Sequence, residues 1–224
     1  VGNSPEFQTL QHKAARVARS DNNILLQGEP GTGKQRLAHG THQASPRAAA
    51  PLITVRCHEG PEAELEKEFF GSSDINDTSS AGKLELANGG TLFLDEIEKL
   101  PLGIGDKIAA ALKDGVKNPK SKIKRKFNVR IISACDSNLK RLADKGLFSK
   151  KLYDVVIGTV IRVIPLRERI EDVEIIANHI LTDFFHEGRY DVHRDFLKTN
   201  SPSMDILVSS NLERLLYLAC HDDH

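Results

Sequence analysis

The residues best suited to chemistry form a glycine-rich loop, Gly28-Glu-Pro-Gly-Thr-Gly-Lys34, which comes directly after the apolar run Ile24–Gln27. The loop fits the pattern G-x-x-x-x-G-K between a predicted strand and a predicted helix. Its glycines tolerate backbone angles that turn successive N–H groups toward one point, where the lysine and the helix N-terminus add positive charge. The pattern therefore predicts binding of ATP or ADP. The residues expected to contact it are Gly28, Glu29, Pro30, Gly31, Thr32, Gly33, Lys34 and Gln35.

A second motif follows about 60 residues later, in the order that a nucleotide site requires. The run Gly89-Gly-Thr-Leu-Phe-Leu-Asp95-Glu96 reads as an apolar strand that ends in two carboxylates. In proteins with a phosphate-binding loop, the acid at such a strand end holds Mg²⁺, and its neighbour can act as general base toward water. We predict Asp95 and Glu96 as the catalytic carboxylates, with Asp95 as the metal ligand and Glu96 as the water-activating base, and Gln35 as a weak partner of metal-bound water.

Five short apolar runs, most of them rich in β-branched residues, predict the strands of a parallel sheet covered on both faces. They are Ile24–Gln27, Leu52–Cys57, Thr91–Asp95, Val129–Ala134 and Thr159–Ile164. Helical spacing lies between them, for example over Leu100–Gly115. The fold class is therefore α/β. After Pro165 the segments Asp172–His186 and Asn211–Cys220 show helical faces, so we predict an α/β core at 1–165 and a helical part at 166–224.

Composition restricts the class of protein. Among 224 residues, 31 Lys and Arg balance 31 Asp and Glu, so the chain as a whole has no general attraction to nucleic acid or membrane surfaces. No apolar run approaches the length of a membrane span, and no secretory signal pattern opens the chain. The three cysteines show no paired spacing, which indicates a reducing compartment. We therefore expect a cytoplasmic protein without membrane contact.

With these motifs in place, the chain resembles the AAA+ (sigma-54 interaction) domain of bacterial enhancer-binding transcription regulators. The matching blocks are Val1-Gly-Asn-Ser-Pro5, Ser45-Pro-Arg47, Glu68-Phe-Phe-Gly71, Leu84 to Ile97, Val129-Arg-Ile-Ile132 and Pro165-Leu-Arg-Glu-Arg169. The resemblance implies a P-loop ATPase core with a helical lid, and ring oligomers that hold ATP between subunits. It also implies a sensory domain before this chain and a DNA-binding domain after it.

The chain departs from the family in the loop that contacts sigma-54. Members carry the letters G-A-F-T-G-A after the block that ends here at Gly71. The corresponding region, Gly71 to Gly82, is shorter here, and Ser72–Ser80 is rich in Ser, Asp, Asn and Thr without an aromatic tip. We predict a mobile loop and a regulator that works with RNA polymerase without contacting sigma-54.

The positions of the family's two arginine fingers also depart. In the aligned run from Phe148, Ser149 and Val155 stand where the resemblance places arginines. An arginine finger contributes about 10³–10⁵ in rate, on the order of 4–7 kcal/mol of barrier. Lys150 and Lys151 lie beside the first position, but an ammonium lacks the planar fork of a guanidinium.

Further departures fall at positions that the family uses to sense nucleotide. Arg56 stands where members have the asparagine that switches the catalytic glutamate, and Asp136 ends the run that corresponds to A-T-N. Glu213 aligns with the lid arginine. Since the phosphate loop stays intact while these positions change, we predict a degenerate member that binds nucleotide with little or no hydrolysis. Drift within an active ATPase is the alternative.

Three hypotheses from different classes stay open. The first is a nucleotide-dependent regulatory switch that self-associates as a ring or dimer, and the second is an active ring-forming ATPase that drives transcription activation. The third is a regulator that responds to a cyclic dinucleotide held by Arg56 or by the basic segment Lys117–Lys126. That basic segment is otherwise a solvated hairpin. The ending Cys220-His-Asp-Asp-His224 is close to a list of metal ligands, but its spacing favours a frayed helix end.

Overall fold

Five strands form one parallel sheet in the computed structural model, which describes residues 2–57, 61–71, 81–117 and 124–186. The strands are β1 (Ile24–Gln27), β2 (Leu52–Arg56), β3 (Thr91–Asp95), β6 (Arg130–Cys135) and β7 (Thr159–Arg162). Their spatial order is β2-β3-β6-β1-β7, and every pairing is parallel. All five predicted strands are confirmed, two of them with the predicted ends and three with ends that differ by one or two residues.

The sheet is covered on both faces because successive residues of its central strands point in opposite directions. Leu25, Leu92, Leu94 and Ile131 belong to one buried cluster, while Ile24, Leu26, Phe93 and Ile132 belong to another. All six residues of β6 are buried. This is why the strands read as unbroken apolar runs in the sequence.

Helices and a short hairpin connect and flank the strands. The helices are α1 (Pro5–Ala18), α2 (Lys34–Gln43), α3 (Glu62–Phe70), α4 (Lys83–Leu86), α5 (Leu102–Asp114), α6 (Leu139–Asp144), α7 (Lys150–Val156) and α8 (Val173–His186). Single 3₁₀ turns cover Ile97–Lys99, Leu166–Glu168 and Ile170–Asp172. The helices predicted within Leu100–Gly115 and Asp172–His186 are confirmed. None of the helices in the described ranges is long and apolar enough to cross a bilayer.

Two loops are seen only at their bases. β4 (Val116–Lys117) pairs antiparallel with β5 (Lys124–Arg125), which is the base of the predicted basic hairpin. An antiparallel bridge joins Gly71 to Ala81. The segments between these pairs, 118–123 and 72–80, lie outside the described residues, as do the predicted helix Asn211–Cys220 and the ending Cys220–His224.

The described chain divides into two compact units. The larger holds Pro5–Arg169, and the smaller includes residues 2–4 and 170–186. In the smaller unit the fully buried Asp172 carboxylate accepts hydrogen bonds from the backbone N–H groups of Asn3 and Ser4 and from the Ser4 hydroxyl. The predicted division at residue 165 and the helical lid remain predictions, since most of that second part is not described.

One buried histidine in the core predicts a pH dependence of stability. His42 of α2 is 5% exposed, and its Nδ1 lies 3.0 Å from the hydroxyl of Thr91. Burial is the main cause that lowers the pKa of His42 below its ordinary 6.5, and the charges of Arg130 and His39 lower it further. Protonation therefore favours the unfolded chain, so the neutral ring contributes stability above pH 6.5 that is lost as pH falls through the folded-state pKa.

We expect the wild-type free energy of unfolding to fall from pH 7.5 to 5.5 more steeply than that of His42→Gln. One proton contributes at most about 1.4 kcal/mol per pH unit to the slope. Urea unfolding across this pH range measures the slope, with the exposed His12→Gln as matched control. Equal slopes for wild type and His42→Gln would contradict a role for this ring.

Candidate functional site

Parallel pairing brings the predicted site residues to one edge of the sheet, because the carboxyl ends of all five strands meet there. Two backbone hydrogen bonds fix the arrangement beyond the strands. The N–H of Gly28 donates to the Cys135 carbonyl at 3.1 Å, and the N–H of Cys57 donates to the Asp95 carbonyl at 2.8 Å. The glycine-rich loop after β1 thus lies directly beside the end of β6, and β3 follows on the far side of β6.

The loop from Gly28 to Lys34 forms an open cradle. Gly31 and Gly33 adopt φ angles of +75° and +91°, which residues with a Cβ rarely adopt. Apart from chain neighbours, no atom of the residues that the structure describes lies within 4 Å of where a Cβ would stand. Gly33 caps α2 without a side-chain hydrogen bond to the helix N–H groups. Those first N–H groups therefore face the cradle as donors for an anion.

Lys34 lies at the bottom of the cradle and is 7% exposed. Its ammonium group donates to the carbonyls of Gly28 at 2.8 Å and Glu29 at 2.7 Å, and to Asp136 Oδ1 at 2.6 Å. The two carbonyl bonds hold the lysine within its own loop. The third bond joins it to the end of β6, 102 residues further along the chain.

An ion pair fastens the cradle to the segment that follows β7. The Arg167 guanidinium donates to both carboxylate oxygens of Glu29. The hydrogen bonds from Arg167 are the main cause that holds the pKa of Glu29 below its ordinary value. Arg167 was part of a matched sequence block, but no sequence signal indicated this partner.

Asp95, the predicted metal ligand, ends β3 beside this cradle. Burial is the main cause that raises the pKa of Asp95, and the neighbouring Glu96 raises it further, while Lys34 and Arg56 act in the opposite direction. No three His, Cys, Asp or Glu side chains in the described ranges are grouped as a metal-ligand set. Gln35, the second residue of α2, is exposed.

Glu96, the predicted base, is held by two cations. Its Oε2 lies 3.3 Å from Arg56 Nε and 3.2 Å from Lys99 Nζ. The hydrogen bond from Arg56 is the main cause that lowers the pKa of Glu96. Glu96 is also the one non-glycine residue in the described ranges with positive φ, at 55°. A left-handed glutamate stores backbone strain of the kind found at functional sites.

Ser149 occupies the first predicted finger position and faces the interior. It is 5% exposed, and its hydroxyl donates to Asp106 Oδ1 at 2.5 Å while accepting the N–H of Leu152 at 3.1 Å. The hydroxyl therefore caps the N-terminus of α7. A Cβ at Gly105 of α5 would lie 2.9 Å from Ser149 Cβ, so the two helices approach closely here. The sequence did not indicate Asp106 as a partner.

The side chains near Ser149 differ in burial and in whether a charge is paired. Val155, at the second finger position, packs against the buried apolar cluster. Lys151 is tied to Asp106 Oδ2 at 2.6 Å. Lys150 is exposed and forms no ion pair with any residue that the structure describes. Of the two neighbouring lysines, Lys150 is the one with a charge open to another molecule.

Glu98 is a site residue that sequence reasoning missed. Its Oε1 accepts the backbone N–H of Asp136 at 2.8 Å, while its Oε2 is buried and has no hydrogen-bond partner in the described part of the chain. Burial is the main cause that raises the pKa of Glu98, while the hydrogen bond from the Asp136 N–H lowers it and the negative charge of Asp136 raises it. The only available signal was its position two residues after Glu96.

The sheet and its loop define the class of protein. A parallel five-stranded sheet, with a glycine-rich loop leading from a central strand into a helix and an acid at the end of a nearby strand, is an α/β P-loop NTPase fold of the AAA+ type. The predicted fold class is confirmed. Residues 1–162 match the family described as the Sigma-54 interaction domain, and this chain belongs to that family.

Transcription regulators are similar to this chain in sequence. The chain is 39% identical over 184 residues to the anaerobic nitric oxide reductase transcription regulator NorR of Aeromonas salmonicida, covering 80% of this chain and 36% of NorR. It is 37% identical over 186 residues to the DNA-binding transcriptional regulator NtrC of Salmonella typhimurium, covering 81% and 40%. The chain thus spans well under half of either regulator.

Solved structures resemble the fold of this chain. NtrX from Brucella abortus, solved in complex with ATP, superposes with a TM-score of 0.77 at 28% identity, covering 100% of this chain and 53% of that one. Its complex with ADP gives the same TM-score and identity.

Proposed function

We propose that this chain is the nucleotide-binding domain of a bacterial transcription regulator, in which ATP or ADP acts as a structural signal with little or no hydrolysis. The single observation that carries the proposal is a contrast within the site. The phosphate cradle is intact and open, while Ser149, at the first finger position, is buried and bonded to Asp106 within its own subunit.

Nucleotide binding is supported by the chemistry of the cradle. The turns at Gly31 and Gly33, with their positive φ angles, and the α2 N-terminus without a side-chain cap provide backbone donors for phosphates, and the Lys34 ammonium group adds positive charge. NtrX, which shares this fold, was solved with both ATP and ADP. The same ligands are the ones we propose here.

Mg²⁺ fits the residues present. This ion prefers oxygen ligands, and at nucleotide sites it takes one or two carboxylates together with phosphates and water. Asp95 offers such a carboxylate, and its raised pKa reflects burial that a bound cation would offset. Gln35 offers an amide oxygen for a metal-bound water. Bound Mg²⁺ would neutralise phosphate charge.

Weak hydrolysis is supported first at the finger positions. A ring ATPase of this family uses an arginine that reaches the neighbouring subunit's nucleotide, and its loss costs about 10³–10⁵ in rate. Ser149 carries no charge and is committed to the α7 cap, while Val155 packs into the core. Neither side chain supplies a cation to a neighbour.

Weak hydrolysis is supported again at Glu96. A general base must accept a proton, and a lowered pKa makes it a poorer acceptor at neutral pH. Arg56 and Lys99 both hold the Glu96 carboxylate. Arg56 stands where the family resemblance places an asparagine, so the ion pair replaces a neutral contact by a charged one.

In this proposal nucleotide binding sets lid position and self-association rather than driving remodelling. The chain lacks the letters G-A-F-T-G-A between Gly71 and Gly82, and the bridge from Gly71 to Ala81 closes that region at its base. We therefore propose that the regulator acts on RNA polymerase without contact to sigma-54, and that DNA is bound by a separate domain. We propose a cytoplasmic location.

An active ring-forming ATPase is the second candidate, and Lys150 is the observation that favours it. This exposed lysine lies beside Ser149 and has a charge free to meet a phosphate of a neighbouring subunit. Asp95 and Glu96 are both present for metal binding and base catalysis. Under this alternative, turnover would rise with assembly.

Steady-state phosphate release across protein concentration separates the two. We expect wild type, Glu96→Gln and Lys150→Ala to show the same low rate from 1 to about 50 µM, a range chosen to span typical weak self-association. The exposed Lys140→Ala serves as matched control. A wild-type rate that rises with concentration and is lost in Glu96→Gln would support the ATPase and overturn our proposal.

A further inference from the structure

All three protons of the Lys34 ammonium group are already in use. A lysine ammonium has three donors and no acceptor. The three bonds go to the Gly28 carbonyl, the Glu29 carbonyl and Asp136 Oδ1, at 2.8, 2.7 and 2.6 Å. A phosphate that accepts a hydrogen bond from the Lys34 ammonium group must therefore displace one of these three acceptors. The bonds to the two carbonyls lie within the loop itself, so Asp136 is the acceptor that competes from outside it.

Asp136 is fixed in this position by its backbone. Its N–H donates to Glu98 Oε1 at 2.8 Å, and the preceding residue, Cys135, accepts the N–H of Gly28 at 3.1 Å. The carboxylate is attached to the end of a fully buried strand and is 28% exposed, against 7% for Lys34. The backbone that carries this carboxylate is therefore fixed beside the cradle.

The surroundings add negative charge at the same end of the site. Glu98 carries a buried oxygen without a hydrogen-bond partner in the described ranges, and its charge and that of Asp136 act on each other. Asp95 ends the neighbouring strand β3. A P-loop lysine reaches the β- and γ-phosphates, so a terminal phosphate would enter the space next to these carboxylates.

We infer that Asp136 is a specificity-determining residue of the nucleotide pocket: it occupies Lys34 and repels the terminal phosphate, so that the site prefers ADP to ATP. The inference rests on the proposed nucleotide site and adds which nucleotide that site favours. ADP lacks the γ-phosphate, which is the phosphate that the Asp136 carboxylate repels most strongly. Two unit charges about 5 Å apart at an effective dielectric constant near 20 change an equilibrium by on the order of 100-fold, and solvent exposure reduces this toward 10-fold.

Calorimetric titration of ADP and of a non-hydrolysable ATP analogue tests the inference. Wild type should bind ADP about 10-fold more tightly than the analogue. Asp136→Asn, which keeps the shape and removes the charge, should tighten analogue binding by about 10-fold while changing ADP binding less, so that the preference is lost. The exposed Asp144→Asn should leave both affinities unchanged. Titrations run with Mg²⁺ and with EDTA.

The outcomes separate this inference from the function on which it rests. If both nucleotides bind and Asp136→Asn leaves their ratio unchanged, the role of Asp136 is overturned while the binding site stands. Weaker analogue binding by Asp136→Asn only with Mg²⁺ would also overturn it, and would make Asp136 a partner of the cation. If wild type, Asp136→Asn and Lys34→Ala all fail to bind, both fall. Thermal melting checks that each variant is folded. If Asp136→Asn melts at a much lower temperature than wild type, Asp136→Ser takes its place.

Discussion

Lys34→Ala is expected to weaken ADP binding by on the order of 10- to 100-fold, because hydrogen bonds to a charged group contribute about 1.5–3 kcal/mol. The substitution removes the ammonium group that lies at the bottom of the cradle. It also leaves the Asp136 carboxylate without its counter-charge, because Lys34 Nζ lies 2.6 Å from Asp136 Oδ1 in the wild type. Both changes disfavour an anion at the same place. Calorimetric titration with ADP and Mg²⁺ measures the loss.

A matched variant separates charge in the cradle from charge in general. Lys140→Ala removes an exposed lysine from α6 and should keep wild-type affinity. Thermal melting of both variants shows whether the fold survives, which matters because Lys34 is nearly buried. Equal ADP affinity for wild type and Lys34→Ala, with both folded, would contradict a phosphate site in this loop.

Arg130→Met is expected to destabilise the domain by about 3 kcal/mol. Arg130 begins β6, is 1% exposed, and donates to the carbonyls of Val17 and Ala18 at the end of α1 and to the carbonyl of Asn22 before β1. Methionine fills much of the volume but donates nothing. The Val17 carbonyl still accepts hydrogen bonds from the N–H and the hydroxyl of Ser20. The loss of stability therefore arises at the carbonyls of Ala18 and Asn22.

The melting temperature of Arg130→Met should accordingly fall by about 6–12 °C in a domain of this size. Differential scanning calorimetry measures the change, with the exposed Arg141→Met as matched control. A difference from wild type within about 0.5 kcal/mol, the range of ordinary surface substitutions, would show that the buried guanidinium is not what joins α1 to the sheet.

The strands and the phosphate loop could be predicted because their signals are local. β1 and β3 are buried on both faces, so their residues are apolar without alternation. The loop from Gly28 to Lys34 carries its glycines and lysine within seven positions, and the backbone angles at Gly31 and Gly33 confirm why glycine stands there. Parallel pairing then places Asp95 at the same edge of the sheet as this loop.

The partners within the site could not be predicted because they depend on strand order. The sequence indicated a negative charge at Asp136, but its bond to Lys34 spans 102 residues and arises because β6 lies next to β1. The bond from Ser149 to Asp106 likewise spans 43 residues and depends on how α5 packs on α7. The family resemblance places an arginine where Ser149 stands, but it gave no indication that the serine faces inward.

The fate of bound ATP tests the central claim most directly. The domain at high concentration is incubated with Mg²⁺ and ATP labelled on the terminal phosphate, separated from free nucleotide by rapid filtration, and the bound nucleotide is identified by chromatography. We expect the bound fraction to remain ATP over many minutes, with no more phosphate released than from Glu96→Gln. Conversion of the bound fraction to ADP in wild type, but not in Glu96→Gln, would contradict a binding-only site and would identify this chain as a working ATPase.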